Sequence, residues 1–169
     1  FGHLHHVLKY ELYAPMAETP HGHVLAPGNE GSIPLIKQWF DEVASLFPSR
    51  FMHIGADETV ELGRGQTRAR VETEGLGKVY LQFVRDIDTA LKPKGKRLMF
   101  WADIAMNSPQ LVGILPKDMV AVCWDYWSFN GFDRCLKPFA QVGMETWVAP
   151  GVNNWSRVYP NNAVALRNI

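Results

Sequence analysis

Asp57 and Glu58 stand side by side at the end of the apolar run Phe51-Met52-His53-Ile54-Gly55-Ala56, and an adjacent carboxylate pair is material for proton transfer and charge stabilisation. Successive side chains of a strand point to opposite faces, so the two can share a site only where the strand ends and the backbone turns. Gly55 and Ala56 fit such a change of direction. An acidic dipeptide in this place is also an ordinary solvated loop or helix start, so the rest of the chain must decide. Further chemistry-bearing residues fall at the ends of other apolar runs: His3, Trp101 with Asp103, Trp124 with Tyr126, and Trp147. An indole offers a broad apolar face and one N–H, so the tryptophans read as pocket walls, or as buried strand residues. His53 lies within a strand and reads as a hydrogen-bonded structural residue.

Five of the six histidines fall in the first 23 residues, as His3, His5, His6, His21 and His23. A metal reading of this cluster lacks a cysteine and the i, i+4 helical pair, and neither a metal nor another cofactor is expected. Cys123 and Cys135 sit in different local settings and are expected to be free, reduced thiols.

The elements that must position these residues follow from periodicity. Phe1-Gly2-His3-Leu4-His5-His6 reads as a strand end, followed by a helical patch around Val7 to Met16 and a loop rich in Pro, Gly and His from Ala17 to Gly31. Ser32 reads as the cap of a helix with apolar stripe Leu35, Ile36, Trp39, Phe40, Val43, Leu46 and Phe47, stopped by Pro48. A strand over 51–55 leads into Asp57 and Glu58. After an Arg-rich loop from Gly63 to Arg70, a second amphipathic helix carries Leu76, Val79, Tyr80, Phe83, Val84, Ile87 and Leu91. Strands at Lys96 to Trp101, Met119 to Trp124 and Met144 to Trp147 alternate with helices at about 108–115 and 132–140. Trp101, Trp124 and Trp147 are each 23 residues apart (124 − 101 and 147 − 124), about the length of one helix-plus-strand unit.

Near-continuous apolar strands alternating with helices argue for a parallel sheet, either an open doubly wound sheet or a (β/α)8 barrel. No Gly-rich phosphate loop follows a strand, whereas polar and aromatic residues end every one, which suits a barrel mouth. About five strands are counted in 169 residues, so the expectation is an α/β fold forming a partial (β/α)8 TIM barrel, about strands three to seven with their helices. Lys plus Arg balances Asp plus Glu at 17 each, which gives no footprint for nucleic acid or an anionic membrane. No apolar run approaches the roughly 20 residues of a bilayer span. No leader peptide is read, which leans towards a cytoplasmic placement.

His53-Ile54-Gly55-Ala56-Asp57-Glu58 resembles the His-x-Gly-x-Asp-Glu motif of glycoside hydrolase family 20, the β-N-acetylhexosaminidases. Phe1-Gly2-His3-Leu4, Phe100-Trp101-Ala102-Asp103 and Cys123-Trp124-Asp125-Tyr126 are similar to its third, fifth and sixth strand ends, and Gly-Ala before Asp-Glu with Leu62-Gly63 after it resembles the hexosaminidase D branch. The resemblance spans nearly the whole chain, implying that residues 1–169 are an incomplete catalytic domain of that family. It implies removal of terminal β-linked GlcNAc or GalNAc with retention, the substrate's own 2-acetamido oxygen being the nucleophile. Asp57 would then orient the acetamido group and Glu58 would serve as general acid and base. His3, Trp101, Asp103, Trp124, Tyr126 and Trp147 would bind substrate, with Tyr126 as donor to the acetamido carbonyl. Where the family usually shows Glu, this chain has His5.

Two other readings stay open. One is a conventional retaining glycosidase with Glu58 as acid and Glu145, on the same strand face as Trp147, as nucleophile. The other is an inactive sugar-binding remnant. The expected partner is a carbohydrate, with the missing barrel segments supplied by more chain or by an oligomer.

Overall fold

The computed structural model describes residues 1–126, 131–152, 158–159 and 161–168. Four strands form one sheet: β1 (Phe51–His53), β2 (Arg97–Trp101), β3 (Val120–Asp125) and β4 (Glu145–Pro150). All three pairings are parallel, and the spatial order is β1-β2-β3-β4. Parallel neighbours that follow one another in the chain, each joined by a crossover, are the pattern of a barrel arc; a doubly wound sheet reverses its order at a switch point.

α1 (His5–Leu8) and α2 (Ser32–Leu46) precede β1, the crossovers carry α3 (Arg68–Glu74) and α4 (Leu76–Leu91) between β1 and β2 and α5 (Asp133–Gln141) between β3 and β4, and α6 (Asn162–Asn168) follows β4. No helix among the described residues is long and apolar enough to cross a membrane. The apolar stripe of α4, from Val79 to Leu91, is buried along its whole length. It packs in one core with the strand residues of the covered face, Leu98, Phe100, Ala121 and Cys123.

The register sorts the other face. Phe51 pairs with Arg97, Met99 with Val120, and Val122 lies between Trp101 and Trp147, so Phe51, His53, Met99, Trp101, Val122, Trp124 and Trp147 share the concave side. Phe51 and Trp147, on the two outermost strands, meet edge to face with centroids 5.1 Å apart. On a flat sheet these strands would lie about 14 Å apart. The sheet is therefore curled, as a barrel wall is.

Several local expectations change. Residues 1–4 form no strand: Leu25 N–H donates to the Phe1 carbonyl and Leu4 N–H to that of His23, so this segment pairs with its own loop. The helical patch over 7–16 is only α1 and a 3-10 turn at Ala14–Met16, because Pro15 and the Gly- and Pro-rich stretch beyond it allow no continuation. Ser32 is not the cap; it lies inside the first turn of α2, buried, with Oγ donating to the Ala26 carbonyl. The Arg-rich loop holds the start of α3, braced by Arg68–Glu72 and Arg70–Glu74 pairs at helical spacing. The segment near 108–115 is a 3-10 helix over Pro109–Ile114.

Cys123 and Cys135 form a disulfide, against the expectation of free thiols. Their local settings differ because one is on the covered face of β3 and the other on α5, yet the crossover folds α5 back onto β3 and brings the Cα atoms to 6.1 Å.

Candidate active site

The turn after β1 is held in an uncommon backbone shape. Gly55, Ala56 and Glu58 have φ of 70°, 75° and 46°, and His3 on the facing segment has 57°. Positive φ is free of cost only for glycine, so Ala56 and Glu58 are strained positions that their surroundings must hold. This strain makes the adjacent pair usable. The left-handed residue at 58 breaks the strand alternation that would otherwise send Asp57 and Glu58 to opposite sides.

Both carboxylates converge on one imidazole nitrogen. His3 Nε2 lies 3.2 Å from Asp57 Oδ2 and 3.5 Å from Glu58 Oε2. Gly2 permits this approach by lying directly against the Asp57 carbonyl. The Asp57 side chain is 24% exposed and that of Glu58 55%, so Glu58 is the carboxyl that meets solvent freely.

From Glu58 a chain of contacts runs across the strand ends. Glu58 N–H donates to Asp103 Oδ2 at 3.1 Å, and Trp124 Nε1–H donates to Asp103 Oδ1 at 3.3 Å. The Trp124 ring lies 5.5 Å from that of Tyr126. Gly151 lies beneath Tyr126, where a Cβ would be 2.3 Å from the ring. Burial raises the Asp103 carboxyl above the usual aspartate value, opposed by the hydrogen bonds from Glu58 and Trp124.

Beneath the turn, the Tyr80 hydroxyl of α4 donates to the Ala56 carbonyl at 2.8 Å. Burial pushes the phenol well above its ordinary value, with the charges of Asp103 and Asp57 adding to it, so it remains a donor. His53 accepts Gly55 N–H on Nδ1 at 3.0 Å, and its ring lies 4.5 Å from that of Trp101. Burial lowers the imidazole below its usual value, with the Asp57 charge opposing.

The loop after the pair is clasped by a second carboxylate that sequence reasoning passed over. Buried Glu18 accepts Gly63 N–H, Gly65 N–H, Thr67 N–H and the Thr67 hydroxyl on Oε1. Glu61 accepts the His23 and Val24 amides and pairs with His23 Nδ1 at 2.9 Å.

Of the residues named from sequence, His3, Asp57, Glu58, Asp103, Trp124 and Tyr126 come together in one connected set, and Trp101 adjoins it through His53. Trp147 does not. It is the third of six residues in β4, its indole N–H donates to Glu145, and its ring meets Phe51 at the opposite end of the concave face. Trp147 is level with Trp101 in the ladder, and Trp124 stands two residues beyond both, so what separates Trp147 from the set is the direction of its ring and not its height. Glu145 likewise begins β4 and is taken by Arg97 and Trp147, which hold its carboxyl below the usual glutamate value. It is level with His53 in the ladder, so it does not face Glu58 across a pocket mouth. Tyr80 was legible only as an apolar-stripe residue, although a tyrosine among buried hydrophobes always raises the question of what its hydroxyl binds.

Residues 7–153 match the model of glycosyl hydrolase family 20, catalytic domain. A relative, hexosaminidase D of Bos taurus, is 32% identical over 137 residues, covering 75% of this chain and 39% of that protein. The chain thus spans about two fifths of the length of this curated relative. The β-N-acetylhexosaminidase of Bacteroides fragilis NCTC 9343 has the same fold, with TM-score 0.66 at 20% identity over 89% of this chain and 33% of that one. A GH20 exo β-N-acetylglucosaminidase of Vibrio harveyi, solved in complex with N-acetylglucosamine, aligns with TM-score 0.58 at 26% identity over 78% of this chain and 20% of its own.

Proposed function

This chain belongs to glycosyl hydrolase family 20, and on that premise we propose that it carries the acid/base half of a β-N-acetylhexosaminidase site that uses the substrate's acetamido group as nucleophile. The observation that carries the proposal is the convergence of Asp57 and Glu58 on His3 Nε2. A conventional retaining pair stands about 5–5.5 Å apart across the scissile bond, on separate strands. Here Glu145, the counterpart weighed on a later strand, lies level with His53 and is engaged by Arg97 and Trp147.

The steps balance as follows. The acetamido oxygen attacks the anomeric carbon while Glu58 gives its proton to the leaving oxygen and the glycosidic bond breaks. Asp57, ionised, accepts the acetamido N–H and offsets the positive charge of the oxazolinium intermediate. Glu58, now a carboxylate, removes a proton from water, which attacks the anomeric carbon from the vacated face as the ring opens. His3 steadies both carboxylates, Trp101 and Trp124 wall the sugar, and Tyr126 donates to the acetamido carbonyl.

The test is hydrolysis of a chromogenic 2-acetamido-2-deoxy-β-hexoside beside its 2-hydroxy counterpart, by this chain and by one extended to the length of its relatives. Turnover of the acetamido substrate alone is expected. Equal cleavage of both substrates refutes the acetamido mechanism, and turnover by neither chain refutes the enzyme.

A further inference from the structure

Asp103 reads from sequence as a sugar ligand, but its surroundings give it another task. Each of its oxygens is already engaged, Oδ2 by the backbone N–H of Glu58 and Oδ1 by the indole N–H of Trp124. The backbone it grips is the one with φ of 46°, a conformation that a glutamate holds only under constraint. On the other side of the same turn, Tyr80 grips the carbonyl of Ala56, whose φ is 75°. The two strained non-glycine residues of the turn are thus each tied by one directed hydrogen bond, from two different places in the fold: the loop that follows β2 and the second turn of α4. Tyr80 is fully buried, so its hydroxyl has no access to substrate and acts only through the backbone above it.

We propose that Asp103 and Tyr80 are positioning residues that clamp the Ala56–Glu58 turn from opposite sides, and that their joint effect is to aim the Glu58 carboxyl at the leaving oxygen. This rests on the acid/base role proposed for Glu58. Without Asp103 the Glu58 amide would lose its acceptor, and without the Tyr80 hydroxyl the Ala56 carbonyl would be buried with no partner. Either loss lets the turn relax towards an ordinary strand end, which swings Glu58 away from Asp57. A misplacement of about 1 Å at an acid catalyst is enough for a loss of about 10²-fold.

A residue that works through the general acid has a signature that a sugar ligand or a purely structural residue lacks. Protonation matters for a poor leaving group and hardly at all for a good one. The experiment therefore compares Asp103→Ala, which removes both acceptor oxygens, and Tyr80→Phe with the wild type, in whichever chain length turns over, on 2,4-dinitrophenyl and phenyl 2-acetamido-2-deoxy-β-glucosides. The expected result is a fall in kcat/KM of about 10²-fold with the phenyl substrate and under about threefold with the dinitrophenyl one, in both variants. Tyr80→Phe keeps the buried volume and so carries the test if Asp103→Ala does not fold. An equal loss with both leaving groups, or a rise in KM alone, assigns Asp103 to substrate binding and overturns the clamp, as does unchanged activity in Tyr80→Phe. A wild type that hydrolyses neither substrate refutes the acid/base role itself and takes the clamp with it.

Discussion

Gly2 is packed so closely on Asp57 that a Cβ at Gly2 would stand 2.6 Å from the Asp57 carbonyl oxygen. No backbone atom can give way cheaply there, because Asp57 belongs to the strained turn. Gly2→Ala is expected to destabilise the fold by about 1–3 kcal/mol and to displace His3 from the carboxylate pair. Gly113→Ala is the comparison: its Cβ would meet only Val142 at 3.6 Å, an ordinary contact, at a position without positive φ. Thermal unfolding of the two variants should separate them by several degrees, and equal melting would contradict the close approach.

Glu58→Gln removes the proton that the leaving group takes and the base that activates water. A loss of about 10²- to 10⁴-fold in kcat is expected, while Asp57→Asn is expected to reduce turnover of acetamido substrates with the fold intact. Circular dichroism beside the kinetics distinguishes this from unfolding. Near-normal rates in Glu58→Gln would remove Glu58 from the acid/base role, and sugar binding without turnover in the wild type would leave only a sugar-binding remnant.

His53 makes stability depend on pH in a definite direction. Its folded value is depressed by burial, and Nδ1 must be unprotonated to accept Gly55 N–H. The unfolded chain therefore binds this proton more readily, so the His53 contribution is fully present above the ordinary histidine value of about 6.5 and is lost as pH falls through the lower folded value. Glu145, depressed by Trp147 and Arg97, acts in the same sense at lower pH, its contribution being lost as pH falls below the ordinary glutamate range. Melting temperatures measured down from pH 8 should decline below pH 7 in the wild type and less in His53→Gln. A flat profile would contradict this reading.

The Cys123–Cys135 bridge closes a short loop, with a sequence separation of 12. Loop-closure entropy puts its contribution at about 3 kcal/mol. Reduction with a small dithiol, or Cys135→Ser, should lower the melting temperature, and the two treatments should not add. If reduction leaves the melting temperature where it was, the bridge does not hold α5 to β3.

The parallel sheet, α2, α4 and the Asp57–Glu58 turn were legible because each has a one-dimensional signature: apolar runs, a 3.6-residue stripe, or small residues before a turn. The network around the turn was only half legible. Asp103 and Trp124 were marked by their place at strand ends, but which groups Asp103 would hold depends on the register of β2 against β3, which periodicity leaves open. Tyr80 and Glu18 were hidden because a buried polar group looks like its neighbours until its partner is located. Trp147 stands level with Trp101, but its ring meets Phe51 and its indole N–H meets Glu145, contacts that spacing along the chain does not foretell. The cysteines were judged one at a time, although a crossover decides their pairing.

Each strand of the sheet is hydrogen-bonded to the one that precedes or follows it in the chain. Nothing has to be threaded between strands already in place, so the arc extends by adding whole units at an edge. Such a layout makes the arc modular, since a further strand-and-helix unit can join the β1 or the β4 edge without disturbing the turn that bears Asp57 and Glu58.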